Sequence, residues 1–414
     1  MTRKLLRNTL LLQVFNKNIL VVNVIAKLKN CFVISDRQGD FMKKDPTGHN
    51  QEALAQMKRL GVNFSTFREL LEMADECKPA LEFSAETKAQ WRSWRKKFLG
   101  KLNEALGSDL PKVSPGMRVV EKKDAGNHWR YKVVYHTTPH MDGIAYLLVP
   151  KNISSKVPAV LTIHGHGYGA CDLVGLSPEE ETGGNVHHNY ALEIVRRGMI
   201  AFAPELRGFG QRAVDEDQLG RIIRERGDPE AKYFRRDMCN VQNLKANLLG
   251  YTFMRMQLHD LSVALDVLQS LPEVASARIG ACGLSTGGMM TLFLTAIDQR
   301  IKTATISGTL TSYKSYAFRI ETTCGTQLPF GILRWGDLAD VACLIAPRPV
   351  CFESGRKDFG FLPEIAEKEF KRIKRCYKIA GVPERAVFDS FNGGHEWHGA
   401  VGIPMMEKWL KSKL

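Results

Sequence analysis

The chain of 414 residues lacks several features that would each have fixed its class. No uninterrupted apolar stretch approaches the roughly 20 residues that a membrane span needs, so stable membrane insertion is not expected. No Lys/Arg block is interleaved with aromatics, which speaks against a nucleic-acid module. There is no C-x-x-C pair, and the nine cysteines (Cys31, Cys77, Cys171, Cys239, Cys282, Cys324, Cys343, Cys351 and Cys376) are odd in number and irregularly spaced. Cys282 and Cys351 sit inside apolar runs, where a free thiol acts as a small core residue. This pattern fits a reducing compartment, and a cytoplasmic location is expected. What remains is ordinary for a globular protein: 44% hydrophobic residues, 25% charged, and 58 Lys and Arg against 44 Asp and Glu for a formal net charge of +14. The basic residues are scattered, so solvated faces account for them better than one anionic partner does.

The pattern changes along the chain. Residues 1–41 are basic and apolar but interrupted by Asn16, Lys17, Asn18 and Asn23, with neither the clean apolar core nor the cleavage site of a signal peptide. They are expected to lie outside the core, and Met42 opens a stretch that reads as an ordinary cytosolic start. From 42 to 112 the pattern is helical: Leu54, Met57 and Leu60, then Phe67, Leu70 and Leu71, then Trp91, Trp94, Phe98 and Leu102 recur at helical spacing. Strand-like runs at 117–122, 130–137 and 143–149 read as an antiparallel edge. Beyond them, apolar runs at 158–163, 199–204, 278–284, 301–306, 348–353 and 385–391 alternate with helical segments at 187–197, 256–271, 287–297, 362–380 and 402–413. Buried strands alternating with helices predict an α/β domain over 113–414, with a mostly parallel sheet covered by helices on both faces. The polar, basic stretch 207–250 has no matching strand and is expected to be an insertion near the active site.

One turn carries chemistry. In "IGACGLSTGGM" (279–289) a serine stands between Gly283 and Gly287, where a strand gives way to a helix. Such a G-x-S-x-G sequence is either a plain tight turn or a nucleophile elbow that lifts the serine hydroxyl out of the sheet. A serine nucleophile needs a base, a group that orients the base, and donors for the oxyanion. Downstream, Asp358 follows the strand "RPVCFESG" and His395 follows the next strand after Gly393 and Gly394. Upstream, "HGHG" (164–167) closes the first long buried strand, so a backbone N–H near His166 and that of Thr286 are the candidate oxyanion donors. Asp337 and Asp340 precede their strand and read as helix-capping or solvated residues. His395 and His398, three apart in "HEWH", are weighed as metal ligands and set aside, because a tight site needs more ligands in defined geometry. Arg207 needs a carboxylate partner if buried, with Glu205 and Asp260 as candidates. Trp397 reads either as pocket lining or as packing.

Taken in order, "HGHG", "APELRGFG", "GLSTGG", "IAPRPV", "GRKD" and "NGGHEWHG" resemble the α/β-hydrolase superfamily. More narrowly they are similar to its dienelactone-hydrolase-like and acetylxylan-esterase-like branch, over roughly residues 85–412. The resemblance implies an α/β-hydrolase fold with Ser285 as nucleophile, His395 as general base and acid, and Asp358 as the orienting acid. Dienelactone hydrolases proper use cysteine, and the serine here points to carboxylic esters of acetyl or other short acyl groups, with sugar esters among them. No cofactor and no metal are implied, and the expected partner is a small ester, with a homo-oligomer open. The alternatives are a peptidase of the prolyl-oligopeptidase kind, against which stands the lack of an N-terminal repeat array, and a non-catalytic interaction protein anchored by its basic N-terminus.

Overall fold

A computed structural model describes residues 49–178, 185–213, 234–319 and 323–412. The segment 1–41 lies outside these residues, as does the middle of 207–250. The chain divides into two compact units, Met1–Leu70 and Leu71–Leu414. The described part of the first holds helix α1 (His49–Leu60) and the start of α2 (Thr66–Glu76).

The second unit is built on a nine-stranded sheet in the order β1-β2-β3-β5-β4-β6-β7-β8-β9. Strands β1 (Arg118–Asp124), β2 (His128–Thr138) and β3 (Met141–Pro150) form an antiparallel meander, and β3 runs antiparallel to β5 (Ile200–Pro204). From β5 onward the sheet is parallel through β4 (Val157–Ile163), β6 (Val274–Leu284), β7 (Ile301–Ser307), β8 (Val350–Gly355) and β9 (Ala386–Phe391). All nine runs read from the sequence are strands, with shifts of a few residues at their ends.

The period of two decides which side chains meet which helices. Ala159, Leu161, Ile200, Phe202, Ile279 and Ala281 point to one face; Val160, Ala201, Cys282 and Leu284 point to the other. The first face is covered by α3 (Lys88–Leu106), α6 (Phe253–Ser270), α7 (Thr286–Ile297), α8 (Tyr313–Arg319), α9 (Leu338–Cys343) and α10 (Pro363–Ala380). The second is covered by α4 (Tyr190–Arg196) and α11 (Gly402–Lys411). Because β4 and β6 are buried on both sides, they read as continuous apolar runs rather than alternating ones.

Helix α3 belongs to this core. Thr87 caps it with a capping box to Gln90, and Trp91, Trp94, Phe98, Leu102 and Leu106 line one buried face. It stops at Gly107, whose φ of +90° suits glycine, and a Cβ there would lie 2.9 Å from the carbonyl oxygen of Gly250. Asp337 and Asp340 form the capping box of α9, as expected for capping residues. They are not solvated, however: Asp340 is fully buried and accepts the Phe83 and Asp337 N–H groups. Burial raises its carboxyl and Arg372 opposes that.

Where β5 ends, the chain enters the 207–250 segment through a buried ionic cluster. Asp260 on α6 accepts Arg207 Nε at 2.8 Å and Nη2 at 2.7 Å, and Arg212 Nη2 at 2.6 Å. Of the two candidate partners for Arg207, Asp260 is therefore the one used. Burial alone would raise the Asp260 carboxyl, but Arg212 and Arg207 together hold it below its ordinary value. Further on, Phe234–Leu248 forms a helix, α5, which the polar composition of this stretch had hidden. Removing Asp260 leaves two cations buried without their partner. Asp260→Ala is expected to cost about 3–5 kcal/mol of stability by denaturant unfolding; a loss below about 1 kcal/mol would mean that water already solvates the cluster.

Candidate active site

Ser285 is the residue between β6 and α7, and its backbone is unusual. With φ +59° and ψ −121° it is one of three non-glycine residues of positive φ among the described residues. Such a conformation costs on the order of 1–3 kcal/mol and needs surroundings that enforce it. Those surroundings are the carbonyls of the neighbouring strand and corner. A Cβ on Gly287 would run into the Ile163 oxygen, and one on Gly283 into the Gly287 oxygen. The fenced serine of the sequence is thus a turn so tight that its flanking residues must be glycine. The Ser285 N–H donates to Ser307 O at 2.9 Å, and Thr309 Oγ1 donates to Ser285 O at 2.9 Å, tying the corner to the end of β7.

His395 reaches the same place from the loop after β9. Its imidazole packs over Gly308, where a Cβ would lie 3.2 Å from the ring, so Ser285 and His395 both lie against the stretch 307–309. Nδ1 of His395 is 2.7 Å from Oδ2 of Asp358. The other Asp358 oxygen accepts the N–H groups of Gly360 at 2.8 Å and Phe361 at 2.9 Å, which leaves Oδ2 for the histidine. The Phe361 ring stacks on the imidazole at 5.4 Å with planes 11° apart, and Tyr316 stacks behind Phe361 at 5.1 Å. Asp358 is buried whereas the His395 side chain stays 28% exposed.

On the upstream side, the loop after β4 lies against Ser285: a Cβ on Gly165 would sit 3.1 Å from the Ser285 Cβ. The Gly165 N–H is taken by His187 Nε2 at 2.9 Å. Burial, then the neighbouring His164 and His395, push the His187 imidazole down to about 3, so it is the neutral acceptor this bond requires. The next donor along the loop, the His166 N–H, meets no acceptor among the described residues. Thr286 is the first residue of α7, where N–H groups have no partner within the helix. Its side chain joins the two loops, with His166 Nδ1 at 2.9 Å and the Gln327 amide donating to the same oxygen. Ser285, Asp358, His395, His166 and Thr286 are thus brought to one end of the parallel strands.

Other sequence candidates lie elsewhere. His398 bonds Asp389 at 2.6 Å and stacks on Phe391 at 4.4 Å. Trp397 is buried and packs on Tyr190 at 4.4 Å, a core role rather than a lining one. Not foreseen in the sequence were Gln327, Phe361 and Glu353. Glu353, fully buried on β8, accepts the Gly399 N–H at 3.0 Å and so anchors the loop that carries His395.

Residues 50–392 match the profile of the abhydrolase family. The chain belongs to the α/β-hydrolase family. This α/β-hydrolase is 26% identical over 285 residues to a Bacillus subtilis (strain 168) protein carrying the provisional name hydrolase YtaP, covering 66% of this chain and 85% of that one. Its fold is similar to that of a Bacteroides fragilis NCTC 9343 protein provisionally described as an acetyl xylan esterase (TM-score 0.65, 18% identity, 80% of this chain and 82% of that one). It is also similar to the glucuronoyl esterase of Solibacter usitatus (TM-score 0.55, 14% identity, 80% and 96% covered). Among the described residues no helix is long and apolar enough to cross a membrane.

Burial pushes the Glu353 carboxyl from its ordinary 4.5 up to about 7. The folded state therefore holds this proton more tightly than the unfolded chain, and it loses stability as pH rises from about 4.5 through about 7. Glu353→Gln keeps an acceptor for Gly399 without the charge. Relative to the native protein it should match at pH 4.5 and gain on the order of 3 kcal/mol by pH 8. A stability difference between the two that does not change with pH would show that Glu353 titrates normally.

Proposed function

We propose that this α/β-hydrolase is a serine esterase that cleaves carboxylic esters of acetyl or other short acyl groups, through an acyl-enzyme. Ser285 Oγ attacks the ester carbonyl while His395 takes its proton. Asp358 holds the imidazole in the tautomer with Nδ1–H towards the carboxylate, leaving Nε2 as the base. The oxyanion is received by the N–H groups of His166 and Thr286, each such donor being worth about a hundredfold in rate or more. His395 then protonates the leaving alcohol and activates the water that releases the acid.

The observation that carries this reading is the His395–Asp358 pair beside a serine of positive φ, with the second Asp358 oxygen already occupied by backbone. An ester is favoured over an amide by the company of the fold, since acetyl xylan and glucuronoyl esterases share it. We assign the 207–250 segment to the wall of the acyl pocket. Its α5 reaches the site through Asn240, which accepts the Gly325 N–H at 2.6 Å in the turn that carries Gln327.

Ser285→Ala is expected to reduce hydrolysis of p-nitrophenyl acetate by at least about 10³-fold with an unchanged circular dichroism spectrum, and a fluorophosphonate probe should label Ser285 alone. Asp358→Asn should cost about 10³-fold or more by favouring the wrong tautomer. Labelling of another serine, or a fully active Ser285→Ala protein, would overturn the assignment.

Truncation tests the pocket wall. Shortening 212–236 should change the ranking among acetyl, butyryl and octanoyl esters, whereas a chain beginning at Met42 should keep its activity on acetyl esters. An unchanged ranking in the first, or lost activity in the second, would reject the division of labour between these segments.

A further inference from the structure

None of the eight cysteines among the described residues is in a disulfide. Two pairs of them stand within hydrogen-bonding reach, Cys343 with Cys376 and Cys239 with Cys324. Their environments are opposite. Cys343 and Cys376 are sealed in the core between α9 and α10, where burial, and then the neighbouring thiol, push Cys343 well above its ordinary value. The other pair is buried as well, but it lies at the wall of the candidate site, where Cys324 meets the His166 imidazole.

Cys239 projects from α5 and Cys324 opens the Gly325–Gln327 turn. The two backbones run in contact one residue further on: Gly325 donates to Asn240 Oδ1, and a Cβ on Gly325 would lie 3.3 Å from Asn240 Cα. Around the Cys324 sulfur are the Cys239 thiol, the His166 imidazole and, at 3.0 Å, the Thr326 hydroxyl. The Cys239 thiol first, and His166 after it, hold the Cys324 thiol well below its ordinary 9 although burial acts against them. Cys171, Cys282 and Cys351 are all shifted the other way by burial. A thiol held low beside an imidazole, with a second thiol in reach, is the arrangement of a resolving pair.

We propose that Cys239 and Cys324 are a redox-active dithiol that peroxide closes into a disulfide, joining α5 to the turn that carries Gln327. The Cys324 thiolate attacks one peroxide oxygen, the O–O bond breaks, and hydroxide leaves as the sulfur becomes a sulfenic acid. The Cys239 sulfur then attacks Cys324, the S–O bond breaks, and the oxygen departs as water with the Cys239 proton. The two thiols have lost two electrons to one peroxide, and a dithiol reductant reverses the change.

The test is mass spectrometry of the full-length protein after treatment with a few equivalents of hydrogen peroxide, alkylation and digestion. The expected product is one cross-linked peptide pair joining Cys239 to Cys324, lost on treatment with dithiothreitol, while Cys343 and Cys376 remain thiols. In Cys239→Ser the cross-link should vanish and dimedone should trap a sulfenic acid on Cys324. Three outcomes would overturn the proposal: Cys324 unchanged in the native protein, Cys324 carried to the sulfinic acid without a cross-link, or a disulfide between other cysteines. Since the readout is covalent mass, each of these leaves the esterase reading untouched.

Discussion

The corner from β6 to α7 passes so close to the end of β4 that side chains are excluded on both sides of Ser285. The carbonyls of Ile163 and His164 occupy the space where a Cβ on Gly287 would be, and Gly165 is confined by the Leu284 oxygen, 2.7 Å from its own would-be Cβ. This contact holds the serine at positive φ where α7 starts at Thr286. It also brings the loop after β4 against the helix N-terminus, so Ser285 and both candidate oxyanion donors come from one close approach of backbone. The strain in Ser285 is offset by α7 itself, buried without interruption from Thr286 to Ala296.

Around this corner several buried polar groups fix loops. His187 holds Gly165, and Gln327 and His166 meet at Thr286. Glu205 accepts the Ala170 N–H at 2.8 Å and fills the space that a side chain on Gly169 or Gly210 would need. Asp260 gathers Arg207 and Arg212 at the mouth of the 207–250 segment, and Glu353 anchors the loop after His395. Each of these carboxyl groups accepts at least one donor from a loop or from an arginine beside it. Burying such groups costs stability unless they are paired, so the pairing specifies one arrangement of loops rather than many.

Much of this was legible. The strands stood out because doubly covered strands are apolar throughout, and the order serine, acid, histidine could be read because each lies just past a strand end. Asp358 was separable from Asp337 and Asp340 by its position after β8 rather than before it. Trp397 was open between two roles because an aromatic beside a histidine has the same local pattern whether it lines a pocket or packs on Tyr190. Helix α5 was missed because its polar composition gives no clear apolar stripe, and Gln327 because nothing in its local sequence announces a partner 41 positions away.

The sequence by itself determined the alternation of strand and helix, the two-faced sheet and the positions of Ser285, Asp358 and His395 along the chain, since periodicity and strand ends are local properties. Tertiary structure alone decided which carboxylate holds Arg207, that His187 rather than solvent satisfies Gly165, and that Asp340 is buried under Phe83 and Arg372. It alone brought Cys239 and Cys324 to the same wall of the site. These are contacts between residues 22 to 257 positions apart, and a hydrogen bond across such a distance leaves no periodic trace in the chain that makes it.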